Sequence, residues 1–178
     1  VIDLTTNEGD KWFKDELDRL VKEYGVSGFK LDAGDSRFYK GIKSKNKVSP
    51  NTHTELFAKI GLNYPYNEYR ATWKMGGQPL VQRLHDKGHD WEDIKKLIPQ
   101  MILEGIMGYP FSCPDMIGGG QFTAFLNDAP IDQELVVRSA QVHALMPMMQ
   151  FSVAPWRILD EVHLKAVLKV VDLREDFK

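Results

Sequence analysis

Cysteine is almost absent from the sequence, since Cys113 is the only one. A single thiol excludes an internal disulfide framework and says little about the redox compartment. Long apolar runs are also missing, and none approaches the roughly 20 residues that span a membrane. The first residues lack the pattern of a secretory signal peptide. No membrane contact is therefore visible in this fragment.

Neither charge sign dominates, because 23 Lys and Arg stand against 25 Asp and Glu. Nucleic acids and anionic membranes are bound by strongly basic surfaces, so neither is expected as the main partner. The 178 residues are enough for one sizeable core. The sequence begins without Met, in the strand-like stretch Val1–Leu4. We therefore expect a fragment, residues 1–178, of a longer protein that supplies the rest of the fold.

Strand-like and helix-like stretches alternate along the chain. Apolar residues at alternating positions predict strands, and apolar residues at helical spacing predict helices. The predicted strands are Val1–Leu4, Gly28–Asp32, Tyr66–Thr72, one entered at Tyr109–Phe111, and Met148–Phe151. The predicted helices are Trp12–Tyr24, Thr54–Ile60, one capped by Asp90 and kinked at Pro99, one capped by Asp132, and Val162–Leu173. Residues 73–89 are predicted to be a loop.

This alternation predicts an α/β fold made of parallel βα units. About five strands are visible, whereas a closed (β/α)₈ TIM barrel needs eight. We therefore expect a partial TIM barrel, with about five of its eight βα units in this chain. Its missing strands would leave open barrel edges, so the isolated fragment is expected to be inactive and poorly folded.

The strand Gly28–Asp32 ends in a carboxylate. Phe29 and Leu31 leave one face of this strand, while Lys30 and Asp32 leave the other. A charged face on a core strand is costly unless the charges meet each other or a ligand. The carboxyl ends of barrel strands are where α/β barrels keep their chemistry, so Asp32 is a candidate catalytic residue.

Three other patterns are weaker. Gly118–Gly120 lacks the Lys-Ser/Thr that follows the glycines of a phosphate-binding loop, and the loop after Asp32 lacks the spacing of a calcium site. His85 and His89 lie four residues apart, as in a zinc protease helix, but Gly88 disfavours a helix there. A metal-dependent hydrolase using His85 and His89 is therefore kept only as an alternative.

Polar residues gather at the predicted strand ends. Asp32, Arg70 and Asp115 would meet at one rim of a parallel sheet, with Asp86 above it from the loop. Two carboxylates flanking a pocket are the minimum for glycoside hydrolysis, one as nucleophile and one as acid/base. The positive charges of Lys30 and Arg70 would keep the nucleophile ionised. Aromatic residues suited to the apolar face of a sugar are Trp73, Trp91, Tyr109 and Trp156.

Several motifs, in order and over nearly the whole chain, resemble glycoside hydrolase family 31. They are Phe29–Asp35, Tyr69-Arg70, Arg83–Asp86 with Trp91, Leu103–Gly120, Met146–Ser152, and Pro155–Arg157. The stretch Gly108-Tyr109-Pro110-Phe111, followed by Pro114-Asp115-Met116 and the glycines, is the most specific. The resemblance implies a TIM barrel, a retaining mechanism, and no metal or cofactor.

Carried over by position, the resemblance implies that Asp32 is the nucleophile and Asp86 the acid/base. Arg70 would contact substrate and nucleophile, and Asp115 would hold the pocket floor. Other substrate-binding positions implied are Lys30, Arg83, Trp91, Ser152 and Trp156.

The chain departs from the family's α-glucosidases at two positions. Lys30 stands where they carry Trp, and Ser152 where they carry a sugar-binding His. A Lys-x-Asp strand end is similar to the galactose-binding strand of other α-galactosidases, so α-galactosides are the expected substrates among oligosaccharides and glycosides. A catalytically silent carbohydrate-binding member is the other alternative, although such members commonly lose one of the two acids. The resemblance also suggests the secretory pathway, for which no address is visible in this sequence.

Overall fold

The computed structural model describes residues 2–120 and 130–177. The chain divides into two compact units. The first unit runs to Arg83 and includes Met107–Pro110, and the second contains Leu84–Ile106 and the chain from Phe111 onward. Each unit combines helices with strands, and in each unit two strands follow one another without a helix between them. The strand pairs within each unit are parallel, as predicted.

The first unit contains two helices and three strands, with a 3₁₀ turn at Ser36–Tyr39. Its elements are α1 (Asn7–Tyr24), β1 (Gly28–Leu31), α2 (Pro50–Gly61), β2 (Tyr66–Tyr69) and β3 (Val81–Arg83). β2 lies between β1 and β3 and is parallel to both. The register places Lys30 opposite Glu68, so the two side chains share one face of the sheet. α1 ends as predicted at Gly25, whose φ of 67° is easy for glycine.

Tyr69 lies at the centre of the first core and is fully buried. Its hydroxyl donates to the Ala58 carbonyl at 2.7 Å and accepts from the Gly61 N–H at 2.6 Å. These two bonds join the end of β2 to the last turn of α2. The other buried members of this core are Leu4, Leu17, Leu31, Ala58, Ile60, Tyr64, Met75, Leu80 and Tyr109.

The described part of the second unit contains three helices and three short strands, with a 3₁₀ turn at Pro155–Arg157. Its elements are α3 (Trp91–Ile106), β4 (Phe111–Cys113), β5 (Met116–Ile117), α4 (Gln133–His143), β6 (Gln150–Phe151) and α5 (Glu161–Glu175). Asp90 and Asp132 cap α3 and α4, as predicted, by accepting from the N–H groups of Asp93 and Leu135. β5 and β6 pair in parallel, and α4 and α5 bury Val136, Val137, Ala140, Val167 and Val170 with Ile117.

The observed strands differ from the predicted ones in several places. Residues 2–4 form no strand, because the Asp3 carboxylate accepts from the N–H groups of Thr5 and Lys45 and holds a turn. The strand predicted over Tyr66–Thr72 ends at Tyr69. The predicted loop at 73–89 contains β3, and β5 was not predicted at all. Among the described residues, no helix is long and apolar enough to cross a membrane.

Candidate active site

Asp32 follows the last residue of β1, and its position is fixed by an unusual turn. Ala33 has a φ of 67°, which is uncommon for a residue with a side chain. The next residue must be glycine, because a Cβ at Gly34 would lie 2.3 Å from the Phe57 ring. The Gly34 carbonyl accepts from the Thr54 hydroxyl at 2.8 Å. The turn therefore holds Asp32 at the strand end while its side chain stays 53% exposed.

Two guanidinium groups meet the Asp32 carboxylate. The Nη1 atom of Arg70 and the Nη2 atom of Arg83 each lie 3.4 Å from Asp32 Oδ1. The arginine side chains are only 13% and 4% exposed, respectively, so their charges are little screened by water. The structure thus brings together the predicted residues Asp32, Arg70 and Arg83.

Asp35 fixes the orientation of Arg70. Its Oδ2 atom accepts from Arg70 Nη2 at 2.8 Å and from Nε at 3.2 Å. With Nε and Nη2 held by Asp35, Nη1 is the guanidinium nitrogen directed at Asp32. Asp35 belongs to the Phe29–Asp35 motif, but nothing in the sequence assigned it a role. Its position three residues after Asp32 was the available signal.

Glu68 is a second acid that the sequence analysis missed. Its carboxylate lies 2.9 Å from Lys30 Nζ and 3.5 Å from Arg83 Nε. Glu68 is therefore an ion-pair partner of both Lys30 and Arg83, and Arg83 also reaches Asp32. Alternation along the predicted strand Tyr66–Thr72 would place Glu68 and Arg70 on one face, and this spacing could have identified Glu68.

The segment containing Asp86 lies in the second unit and is held through its neighbour Lys87. The Lys87 N–H donates to Asp115 Oδ2 at 2.9 Å, and the Lys87 carbonyl accepts from the Gly120 N–H at 3.1 Å. The next N–H, of Gly88, donates to Asp93 Oδ2 at 2.6 Å. The backbone that follows Asp86 is therefore held by hydrogen bonds to Asp115, Gly120 and Asp93. The pairing of Asp86 with Asp32 stays a prediction.

Asp115 is fully buried with a φ of 72°, and it supports the Asp86 segment through the Lys87 N–H. The glycines after it pack against this support. A Cβ at Gly120 would lie 2.4 Å from Asp115 Oδ2, and one at Gly119 would lie 2.9 Å from the Lys87 carbonyl. This close approach explains the triple glycine without a phosphate ligand. A direct contact between Asp115 and substrate stays a prediction.

Three ionisable side chains are buried beneath the same segment. Lys87 Nζ donates to Gln100 Oε1 at 3.1 Å, and burial lowers the pKa of Lys87. Burial raises the pKa of Glu104 to about 8 and lowers the pKa of His143 to about 4. Both carry a buried atom, Glu104 Oε2 and His143 Nδ1, with no hydrogen-bonding partner among the described residues.

The remaining predicted site residues have varied surroundings. Trp91 is partly exposed and donates through Nε1 to Asp132 at 2.9 Å. The Ser152 hydroxyl donates to the Ile117 carbonyl at 2.9 Å, and Trp156 is largely exposed. Trp73 is exposed as well, but Tyr109 is not a rim residue. Tyr109 is buried in the first core, where its hydroxyl bonds that of Thr72 at 2.8 Å.

The metal alternative gains no support from the local backbone. Residues 84–88 form no helix, so His85 and His89 do not share a helical face, as Gly88 predicted. Within residues 2–120 and 130–177, no group of three or more His, Cys, Asp or Glu could hold a metal ion.

Comparison with known proteins gives a consistent family assignment. The family model described as the glycosyl hydrolases family 31 TIM-barrel domain matches residues 1–176. The chain is 34% identical over 176 residues to the mouse (Mus musculus) myogenesis-regulating glycosidase, covering 91% of this chain and 24% of the relative. It is 27% identical over 163 residues to the SITS-binding protein of Tetronarce californica, covering 87% of this chain and 22% of that protein.

Solved structures show the same fold. The cycloalternan-degrading enzyme from Trueperella pyogenes superposes with a TM-score of 0.80 at 18% identity, covering 98% of this chain and 28% of that one. The same enzyme in complex with a covalent intermediate gives a TM-score of 0.78, again at 18% identity, over 98% of this chain and 27% of that one. The chain spans about a quarter of the curated relatives that it matches. Its motifs, its parallel βα units and the matching family model all show that the chain belongs to glycoside hydrolase family 31, as part of the TIM-barrel domain.

Proposed function

We propose that this chain carries the two catalytic acids of a retaining α-glycosidase that cleaves α-galactosides. The observation that carries the proposal is the setting of Asp32. Its half-exposed carboxylate stands at a strand end, 3.4 Å from each of two buried guanidinium groups. Two cations therefore face the oxygen that would attack the sugar.

The reaction proceeds in two displacements. In the first, an Asp32 oxygen bonds the anomeric carbon while the bond to the leaving oxygen breaks, and Asp86 gives that oxygen a proton. In the second, Asp86 takes a proton from water, the water oxygen bonds the anomeric carbon, and the bond to Asp32 breaks. Asp86 is protonated again at the end, so the enzyme returns to its starting state. The two displacements use neither metal nor cofactor.

The names of similar proteins support the chemistry. The mouse relative is called a glycosidase, and one solved neighbour was captured with a covalent intermediate. These neighbours are a cycloalternan-degrading enzyme, alone and in complex with isomaltose, but at 18–19% identity they show the fold alone. They therefore do not decide which sugar this chain binds.

The α-galactoside preference rests on Lys30. Its side chain lies on the same sheet face as Asp32 and is 45% exposed, so the ammonium can donate to a sugar hydroxyl. Lys30→Trp in the full-length protein should lower kcat/KM for α-galactosides, because the donor and its charge are both lost. Unchanged α-galactoside kinetics after this substitution would remove Lys30 from the site.

A silent carbohydrate-binding role is the second candidate; one relative is named for binding SITS and not for an enzymatic activity. Silent members commonly lose an acid, whereas both Asp32 and Asp86 are present here. A panel of aryl glycosides offered to the full-length protein separates the two candidates. Turnover of an α-glycoside supports the enzyme, and binding without turnover supports the silent role.

Two substitutions then test the roles. Asp32→Ala should abolish turnover of every substrate, and azide should restore it with an inverted glycosyl azide as product. Asp86→Ala should spare dinitrophenyl glycosides, whose leaving group needs no proton, but not the natural disaccharide. Asp15→Ala is the matched control, because it removes an exposed aspartate that pairs with Lys11. Proton NMR of the first sugar released by the unmodified enzyme should show retention, and an inverted product would exclude Asp32 as the nucleophile.

A further inference from the structure

Glu68 is a buried acid of the candidate site, and the proposed mechanism, which uses Asp32 and Asp86, gives it no role. It lies on β2 two residues before Arg70, and its side chain is only 10% exposed. The register of the sheet sets it opposite Lys30. A carboxylate so little exposed is costly unless cations accompany it, and Glu68 contacts two of them.

The two cations differ in how firmly the surrounding protein holds them. Arg83 is 4% exposed, and it spans from Glu68 at Nε to Asp32 at Nη2. Lys30 is 45% exposed, and its ammonium sits at the end of a flexible four-carbon stem. An exposed lysine keeps many rotamers unless a partner selects one. At 2.9 Å, Glu68 is such a partner for Lys30.

We propose that Glu68 is a positioning residue that determines sugar selectivity by holding the Lys30 ammonium on the face it shares with Asp32. This inference rests on the proposed function. The ligand is a glycoside with a hydroxyl that the held ammonium can reach. A sugar differing only in the orientation of that hydroxyl loses the bond, so Glu68 acts on the choice between α-galactosides and α-glucosides.

A purely structural role makes a different prediction. If Glu68 only balances the charges of Lys30 and Arg83, its loss lowers stability and slows all substrates by one factor. If it positions Lys30, its loss acts mainly on the sugar that uses Lys30. The ratio of kcat/KM for matched aryl α-galactosides and α-glucosides separates the two cases, because a stability loss cancels in this ratio.

The test uses the full-length protein with Glu68→Gln, which keeps the shape and removes the charge. The α-galactoside KM should rise about tenfold with a smaller change in kcat, and the galactoside/glucoside ratio should fall about tenfold, the usual effect of one charged hydrogen bond. Lys30→Met should lower the ratio similarly, and the double variant should lower it no further than Lys30→Met alone. Glu55→Gln is the matched control, because it breaks a 2.6 Å glutamate–lysine pair on α2, outside the site.

Each result decides the matter. An unchanged ratio in Glu68→Gln, or additive effects in the double variant, would overturn the inference while leaving the proposed function intact. Absence of turnover by the unmodified protein on every aryl α-glycoside would overturn both. If Glu68→Gln does not fold, Glu68→Asp replaces it, since that variant keeps the charge but withdraws the carboxylate from Lys30. A fall of the ratio supports the inference, and an equal loss for both sugars overturns it.

Discussion

Glu104 should make the second unit less stable as the pH rises. It lies on α3 with its carboxyl group buried, and its Oε2 atom has no hydrogen-bonding partner among the described residues. Burial raises its pKa to about 8 from the ordinary value of 4.5, because an uncompensated carboxylate is costly inside a protein. The informative perturbation is Glu104→Gln, which has a similar shape and does not ionise.

The magnitude follows from the two pKa values. Between pH 4.5 and 8, the folded protein holds a proton on Glu104 that the unfolded chain releases. The stabilisation is complete below pH 4.5 and is lost as the pH rises through about 8. At about 1.4 kcal/mol per pH unit, the full change is about 5 kcal/mol, an upper bound if the structure relaxes. Glu104→Gln should therefore be close to the parent at pH 5 and more stable by about 2–5 kcal/mol at pH 9.

Hydrogen exchange of peptides covering α3 and α4, corrected for intrinsic rates, measures the local free energy of opening at each pH. Glu134→Gln is the control, because it makes the same change at an exposed position on α4 that pairs with Arg138. Parent and Glu134→Gln should lose protection from pH 5 to pH 9, whereas Glu104→Gln should keep it. The same pH dependence in all three proteins would refute the buried, protonated Glu104.

Four further predictions concern single groups. Burial lowers the pKa of His143 from 6.5 to about 4, so its contribution to stability is complete above pH 6.5 and is lost as the pH falls toward 4. In the same exchange experiment, His143→Gln should remove up to about 3 kcal/mol of the stability loss at acid pH. Tyr69→Phe should lower the free energy of unfolding by about 2–4 kcal/mol, since two buried backbone groups lose the hydroxyl, whereas Tyr66→Phe at an exposed position should change it little. Ala33→Gly should not reduce stability in denaturant unfolding, while Ala33→Val should cost about 1–2 kcal/mol at its φ of 67°; equal effects would contradict the left-handed backbone there. A chelator should leave glycosidase activity unchanged, and a loss that zinc restores would favour His85 and His89 instead.

The helices were predictable because their signals are local. Asp90 and Asp132 cap the helices they were expected to cap, and Gly25 ends α1. The strands were less predictable than the helices, since β3 has only three residues and β5 only two. Strands this short cannot show an alternating pattern of apolar residues, and their pairing depends on residues far along the chain. Residues 2–4 were predicted as a strand from their apolar side chains but do not join a sheet. The Asp3 carboxylate there accepts from the N–H of Lys45, a contact that the local sequence does not reveal.

The candidate site was likewise predictable only in part. The motifs identified Asp32, Arg70 and Arg83, and the structure places them together. Which cation contacts which acid depends on strand register, and one sequence does not reveal it. The ion pair between Lys30 and Glu68 was therefore not foreseen, nor was the part that Asp35 plays in orienting Arg70.

The ion pairs around Asp32 have a consequence for the lifetime of the intermediate. The two guanidinium groups of Arg70 and Arg83 lie beside the Asp32 oxygen. On the proposed mechanism, the sugar ester of Asp32 is neutral, and the two groups keep their positive charges while the sugar is attached. Those charges stabilise the carboxylate as it departs, which makes Asp32 a better leaving group than an isolated acid. Hydrolysis of the ester should consequently be fast, and its formation should limit turnover.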